Sequence, residues 1–439
     1  MEDVAEDFLE ELIDRCMVQV VEWRYDGRIK TCRIHDLLRD LAMSEAKECK
    51  FLEILDGDTF HSMIRARRIA VHTSLHMHMS LRHPNPHLRS LLRFTRSPES
   101  LWRCQWTYIS DYHKLLRVLD LQGAAVHILP KETRELIHLR HLGLRNTGLK
   151  RFSFSINNLS KLQTLDIRAT KISRIPYEIW EIESLRHLYF HRTAITGRLP
   201  VHVSAMNLRT LSTVSIYGNG WVTDFLGKLT NLRKLGIEGY LVSQTEALST
   251  ALGKLRSLET LHLEGPDPIS DRILRLIFNL PNIYKLHLSG AMMKLPDPGE
   301  IQPNLTKLSL EMSQLEQDSF VTMEKLPNLK MLRLLSNSFC GKEMVCSSGG
   351  FPKLRCLEVR ELEKLEEWRI EVEAMPGLRR LIIHNCENLK MIPEGLQYVT
   401  TLREMAIEGM PDEFEARIEQ DSGSDWYKVE HIPSIVISM

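Results

Sequence analysis

The sequence predicts an α/β fold: a leucine-rich solenoid, horseshoe-shaped with a parallel sheet on its concave side, preceded by part of a helix–hairpin–helix element. Two observations lead there. From Leu116 to Ile407 the pattern leucine-x-x-leucine-x-leucine recurs at intervals of 22 to 26 residues, and within each copy the apolar residues alternate as they do in a strand with one buried face. The copies begin at Leu116, Leu139, Leu162, Leu185, Leu208, Leu232, Leu258, Ile283, Leu305, Leu329, Leu354, Leu378 and Leu402, with a weaker one at Leu88. That period belongs to leucine-rich repeats. A single repeat cannot bury its apolar face alone, so stacked neighbours supply the core.

The elements follow in chain order. Val4, Phe8, Leu9, Leu12 and Ile13 fall at helical spacing within residues 3–16, which predicts an amphipathic helix. Met17 to Trp23 and Arg28 to Ile34 are β-prone and flank the turn Tyr25-Asp26-Gly27, which predicts a hairpin. A second helix starts at His35-Asp36, with Leu37, Leu38, Leu41 and Ala42 expected on its buried side. Together these form the last part of a winged helix. The division expected is a partial winged helix over 1–55, a linker over 56–87, and a repeat domain with a C-terminal cap over 88–439. Apolar-proline pairs end the return segments, at Leu129-Pro130, Ile175-Pro176, Leu199-Pro200 and Ile392-Pro393, because proline lacks an amide donor and has a fixed φ. The joints 215–225 and 338–350 are longer and contain glycine, which predicts loops at the rim.

Charge excludes several classes of function. Lysine plus arginine equals aspartate plus glutamate at 57 each, so the whole chain offers no bulk field to nucleic acid or membrane. The distribution is uneven: residues 1–55 carry 14 acidic and 8 basic residues, 61–151 carry 5 and 16, and 411–431 carry 7 and 2. A winged helix can read DNA through its recognition helix. Here Glu6, Asp7, Glu10, Glu11, Asp36, Asp40, Glu45 and Glu48 would repel phosphates, so nucleic acid is not an expected partner.

The eight cysteines form no C-x-x-C pair, and several stand at apolar repeat positions, which fits reduced thiols inside a cell. The acidic N-terminus is unlike a signal peptide, and no run of 18 apolar residues occurs, so a cytoplasmic chain without a transmembrane segment is expected. No catalytic set such as G-x-S-x-G or H-E-x-x-H is present, and an enzyme is not expected. His72, His76, His78, His83 and His87 lack cysteine or acidic partners nearby, so no metal site is expected from them.

A ligand of such a solenoid meets the outward residues of successive strands. In the early copies these include Asp120, Gln122, His141, Arg145, Thr164, Asp166, Arg168, His187, Tyr189 and His191. Arginine and tyrosine are the types enriched at interface hot spots. Arg145, Arg168, His187, Tyr189 and His191 are therefore the expected partner-binding centre.

Two stretches carry a resemblance. Phe8 to Val20 and Cys32-Arg33-Ile34-His35-Asp36-Leu37-Leu38-Arg39-Asp40-Leu41-Ala42 resemble the plant nucleotide-binding leucine-rich-repeat immune receptors of the coiled-coil class, and Trp426-Tyr427-Lys428-Val429-Glu430-His431-Ile432-Pro433 resembles that family's C-terminus. In the family a Met-His-Asp motif closes the winged helix, and its histidine contacts a phosphate of bound ADP. Ile34-His35-Asp36 is this chain's version, with isoleucine for methionine. The resemblance implies a nucleotide-sensing role for His35 and a supporting one for Asp36, within a complete receptor only; capping of the helix explains the same residues without nucleotide.

The family's phosphate loop, G-x-x-x-x-G-K-[ST], is absent: Gly227-Lys228, Gly253-Lys254 and Gly341-Lys342 are followed by Leu229, Leu255 and Glu343. No cofactor is therefore expected for this chain, with ADP or ATP belonging to a full-length receptor. The partners implied are a pathogen effector or a guarded host protein, and the receptor's own nucleotide-binding domain. A truncated regulator or decoy binding the same partners is the alternative, and a ubiquitin-ligase adaptor a further one.

Overall fold

The computed structural model describes residues 8–9, 11–13, 15–23, 29–55, 66–72, 85–94, 109, 111–152, 156–191, 193–195, 206–216, 222 and 225–438. The chain divides into two compact units, built mainly from residues 29–221 and 233–439.

Near the N-terminus the strands Val18–Trp23 and Ile29–Ile34 pair as the expected hairpin, whose turn lies outside the described residues. The helix Asp36–Glu48 follows, but its predicted buried side is not buried. Leu37 is 79% exposed and Leu41 57%, Ala42 is exposed, and Leu38 is half-buried. The sequence pattern is amphipathic, yet no described element packs across that face.

In the first unit the strands Glu53–Leu55, Arg68–Val71, Ser90–Arg93, Val118–Asp120, His141–Gly143, Thr164–Asp166, His187–Tyr189 and Thr210–Ser215 pair in that order, all parallel. Two of these strands precede Leu88, and Arg68–Val71 lies inside the stretch expected to be a linker. Register is set one repeat to the next, as in Leu165 opposite Leu142 and Leu188. Leu119, Leu142, Leu165, Leu188 and Leu211 are fully buried and form one column of the core. After the strands, Pro130 and Pro176 stand just before the 3-10 turns Lys131–Glu135 and Tyr177–Glu181, as their fixed φ predicts.

The second unit stacks longer strands of five residues: Lys234–Glu238, Thr260–Glu264, Lys285–Ser289, Lys307–Glu311, Met331–Leu335, Cys356–Arg360, Arg380–His384, Glu404–Glu408 and Ser434–Ser438, again parallel. The return segments include the α-helices Thr245–Leu252, Asp271–Phe278 and Gln317–Glu324. The joint 338–350 is not a loose loop. Its strand Glu343–Cys346 pairs with Glu367–Ile370, and the Gln317 amide both donates to and accepts from the backbone of Val345. Most of the joint 215–225 lies outside the described residues.

A side-chain ladder missed by the periodicity argument ties repeats together. Asn207, Asn231, Asn282, Asn304 and Asn328 each stand before a first leucine-type residue, and each donates its amide to a carbonyl one repeat earlier, at 2.8 to 3.1 Å. Cys346 and Cys356 are buried, and burial pushes both thiols up to about 12, so they serve as protonated core residues.

Candidate functional site: the concave face of the early repeats

The strand alternation that buries Leu142, Leu165 and Leu188 turns their neighbours outward. Register then places Asp166 beside Gly143 on one strand and Tyr189 on the other, with His187 one column over beside Thr164 and Thr210. Arg168 lies just beyond its strand's end and folds back on it. Its Nε donates to Asp166 Oδ1 at 2.9 Å, its Nη2 donates to Oδ2 at 2.5 Å, and its guanidinium carbon lies 4.8 Å from the Tyr189 ring centre. The Asp166 hydrogen bonds raise the Arg168 pKa above its already high ordinary value. The His187 ring stacks on Tyr189 at 6.1 Å, and its Nδ1 is 3.0 Å from Thr210 Oγ1.

Four of these residues thus form one connected surface, Asp166–Arg168–Tyr189–His187. The expected binding centre is in this respect less basic than composition implied, because Asp166 neutralises Arg168 two residues away. Arg145 is exposed, and no ion pair holds its side chain among the described residues; its carbonyl accepts the Gly123 amide at 2.9 Å. His191 is exposed at the end of the strand turn. Asp120 and Asp166, placed on this face by alternation, both cap the strand end: Asp120 accepts the Gln122 amide and Asp166 the Arg168 amide, each at 3.1 Å. Gly143 was not singled out, yet a Cβ there would meet Asp120 Oδ1 at 2.5 Å, so the missing side chain is what seats that carboxylate. His141, beside it, is held below its ordinary pKa by burial, against the pull of Asp120 and Asp166.

The residues expected to sense nucleotide lie at the start of a helix. His35 is the N-cap residue of the helix Asp36–Glu48, and its Nδ1 accepts the Leu37 amide at 3.3 Å. A ring nitrogen that accepts carries no proton, so the ring hydrogen resides on Nε2, which points away from the cap. Asp36 sits in the first turn, where the helix dipole favours it. Of the histidine group, His72 stacks on Phe94 at 5.0 Å and His87 is exposed, while His76, His78 and His83 lie outside the described residues.

The second unit's outward face holds polar groups of another kind. The His262 and His287 rings stack at 4.2 Å, each with its Nε2 3.4 Å from a carboxylate, Glu264 and Glu311. Glu358, 3% exposed, receives Arg333 at 2.5 Å and is also bonded by Arg360. Burial would raise the Glu358 carboxyl, but the Arg333 and Arg360 guanidiniums outweigh it and hold the pKa below the usual carboxylate range.

Comparison with known proteins settles the kinship of these repeats. A model described as a leucine-rich repeat region matches residues 87–420, and one described as the disease resistance protein winged helix domain matches residues 1–42. The chain belongs to the leucine-rich-repeat family of plant disease resistance proteins. Similar relatives from Arabidopsis thaliana are Disease resistance RPP8-like protein 3, at 34% identity over 445 residues, Disease resistance protein RPP8, at 35% over 460, and Disease susceptibility protein LOV1, at 37% over 448. Each alignment takes in 99% of this chain and 48 or 49% of the relative. The chain thus spans about half the length of the curated relatives it matches. The family's winged helix ends at residue 42, on the helix that His35 caps, and its repeats begin one residue before Leu88.

No helix among the described residues is long and apolar enough to cross a membrane. The leucine-rich-repeat fold is typically a protein-interaction module.

Proposed function

We propose that this chain is the recognition half of an intracellular plant immune receptor, in which the concave face of the early repeats binds a pathogen effector or a guarded host protein. The observation that supports this most directly is the connected Asp166–Arg168–Tyr189–His187 surface, with Arg145 exposed beside it. Its aromatic rings are fixed by stacking and its guanidinium by a two-point hydrogen bond, so a partner orders little on arrival. Within a complete receptor the repeats restrain the nucleotide-binding domain, and partner binding shifts the balance toward release of ADP by differential affinity for the two states. His35 contributes by donating from Nε2 to a phosphate of ADP, while its Nδ1 stays on the helix cap.

The test is leaf expression of a complete receptor carrying this segment, with His35→Ala and, separately, Arg145→Glu plus Tyr189→Ala. The expected outcome is partner-independent cell death for the first and loss of partner-triggered death for the second, at normal protein levels. Silence of His35→Ala with a wild-type response otherwise would reduce His35 to a cap. The decoy reading predicts instead that the chain alone suppresses death triggered by a full-length relative.

A further inference from the structure

The last strand of the second unit, Ser434–Ser438, has the composition of an interior strand and the position of an edge strand. It pairs with Glu404–Glu408 on one side, and among the described residues no strand is registered against the other side. The Ser434 amide donates to the Arg403 carbonyl at 3.2 Å, and the Ser438 carbonyl accepts the Gly409 amide at 3.0 Å. Residues 434, 436 and 438 therefore turn their backbone groups toward Glu404–Glu408. The strand period of two then turns the amides and carbonyls of Ile435 and Ile437 to the open side. Pro433 has no amide to offer there, so pairing on that side starts after it.

The side chains carry the same contrast. Ile435 and Ile437 stand in register with Met405 and Ile407, and those columns run back through Leu381 and Ile383 to Leu357 and Val359. The earlier members of both columns are at most 1% exposed, whereas Ile437 is 40% exposed and Ile435 half-buried. On the opposite face Val436, 55% exposed, follows Ala406 and the buried Ile382. A run that is apolar on both faces belongs inside a sheet. Edge strands that stay free are blunted by charge or by short length, yet no residue of Ser434–Ser438 is charged. The strand that opens the first unit, Glu53–Leu55, is blunted in both ways: it has three residues and begins on a carboxylate.

The order of residues points to what covers this edge, because Ser434-Ile435-Val436-Ile437-Ser438 reads the same in both directions. We infer that a second copy of this chain pairs with it antiparallel, about a two-fold axis at Val436. That register sets Ile435 opposite Ile437 of the second copy, Ile437 opposite Ile435, and Val436 opposite itself. Each isoleucine pair exchanges both of its backbone hydrogen bonds, so every amide and carbonyl on the open side of the two isoleucines is used. The isoleucines then cover one another at the end of the core columns, and the valines meet as a pair without hydrogen bonds, their Cα atoms about 4.5 Å apart. A two-fold contact closes at two copies. With five residues a side it lies well below the ~800 Å² per partner of a standard interface, so the dimer is weak, with a Kd of about 10 to 100 µM. Residues 411–431, which lead into the strand, carry 7 acidic and 2 basic residues, so like charge opposes the approach and salt relieves it.

The experiment is sedimentation velocity of the chain 1–439 from about 1 to about 200 µM, where a monomer–dimer equilibrium is expected that tightens about threefold between ~0.05 and ~0.5 M sodium chloride. Val436→Lys sets like charges against each other on the axis and should weaken dimerisation at least about tenfold, as should Val436→Glu. Val436 is exposed in the single copy, so neither substitution disturbs the core. An equimolar mixture of the two variants should recover a dimer within about threefold of the parent, since only a two-fold at residue 436 brings the substituted positions together. Ile437→Pro deletes an open-side amide, leaves the ladder to Glu404–Glu408 in place, and should weaken the dimer about tenfold. Val372→Lys, at a turn residue that is 57% exposed, should change it less than about twofold. Circular dichroism checks that each variant is folded; should Ile437→Pro unfold the cap, the mixture of Val436 variants decides. A chain that stays monomeric at the highest concentration, whether or not it takes up an extended apolar peptide, would overturn the proposal. So would dimers indifferent to Val436→Lys, a mixture that remains monomeric, or growth beyond a dimer, as head-to-tail stacking on Glu53–Leu55 would give.

Discussion

The two units solve the same problem, stacking leucines behind a polar face, and finish with different surfaces. In the second unit the strands run to five residues and the outward polar groups satisfy one another: Glu358 is gripped by Arg333 and Arg360, Arg380 reaches Glu404 at 3.1 Å, and the neutral histidine pair stands against Glu264 and Glu311. The first unit's repeats have three-residue strands for the most part, and among the described residues no acid pairs with Arg67, Arg89, Arg117, Arg140, Arg186 or Arg209 at the strand entrances. Charges closed on each other stabilise a fold and recognise little. Charges left open cost stability little and keep their capacity for a partner.

That contrast predicts an order of effects on stability. The largest belongs to the cap of the second unit, where Asp425, 2% exposed, accepts Arg417 at 2.9 Å and Lys428 at 3.0 Å, and Lys428 is equally buried. Burial would raise the Asp425 carboxyl, but Arg417 and Lys428 lower it on balance. Asp425→Ala leaves the buried Lys428 ammonium only the Glu394 carboxylate at 3.2 Å and the Ile392 carbonyl at 3.1 Å, removes the Arg417 pairing, and should destabilise the chain by about 3 kcal/mol in urea unfolding. Glu358→Gln should cost less, about 2 kcal/mol, because both its arginines reach solvent. Equal stability of either variant and the parent would remove the claim that the second unit is locked by its own charges.

Acid sharpens the same comparison. Burial, with the neighbouring charges of His262, Arg333 and Lys285 opposing Glu264, lowers the His287 pKa from 6.5 to about 3. The unfolded chain therefore takes up the proton first. Stability from this group is whole above pH 6.5 and drains as pH falls from 6.5 toward 3. Between pH 7 and pH 5 the second unit should lose about 1–2 kcal/mol, and His287→Gln should flatten that slope while leaving the share of His262, which is lowered in the same direction. A slope unchanged by the substitution would mean that the stacked pair protonates freely.

In the first unit the expected effects on folding are small. Arg168→Ala, which removes a pairing that is 39% exposed on the arginine side, should cost about 0.5 kcal/mol. Arg145→Ala should leave unfolding unchanged within about 0.5 kcal/mol, yet both variants should abolish partner recognition in the leaf assay. Large destabilisation by Arg145→Ala would place that residue in the fold and not in the interface.

The repeat positions were legible because each leucine performs the same task in every copy, so thirteen recurrences average out local irregularity. Alternation was enough to turn His187 and Tyr189 outward, while the choice of Arg145, Arg168, His187, Tyr189 and His191 as a binding centre rested on residue type. The neutralisation of Arg168 was not, since a backward-folded guanidinium depends on where Asp166 ends its strand. The roles of Gly143 and the asparagine ladder depend on atoms one repeat away and leave no periodic signal of their own. Leu37 and Leu41 show the reverse failure, a helical pattern read as buried where no described element covers it.

By itself the sequence determined the stacked parallel sheet, the column of buried leucines, the proline-bounded turns and the helix that His35 caps, since each follows from spacing along one stretch of chain. Only the tertiary structure decided which charges meet. Glu358 lies 25 residues from Arg333 and a single strand away in space, and the arginines from Arg67 to Arg209 become a row only when their strands are stacked. Partners 22 to 26 residues apart are joined by lateral hydrogen bonding between repeats, and that geometry exists only once the solenoid has folded.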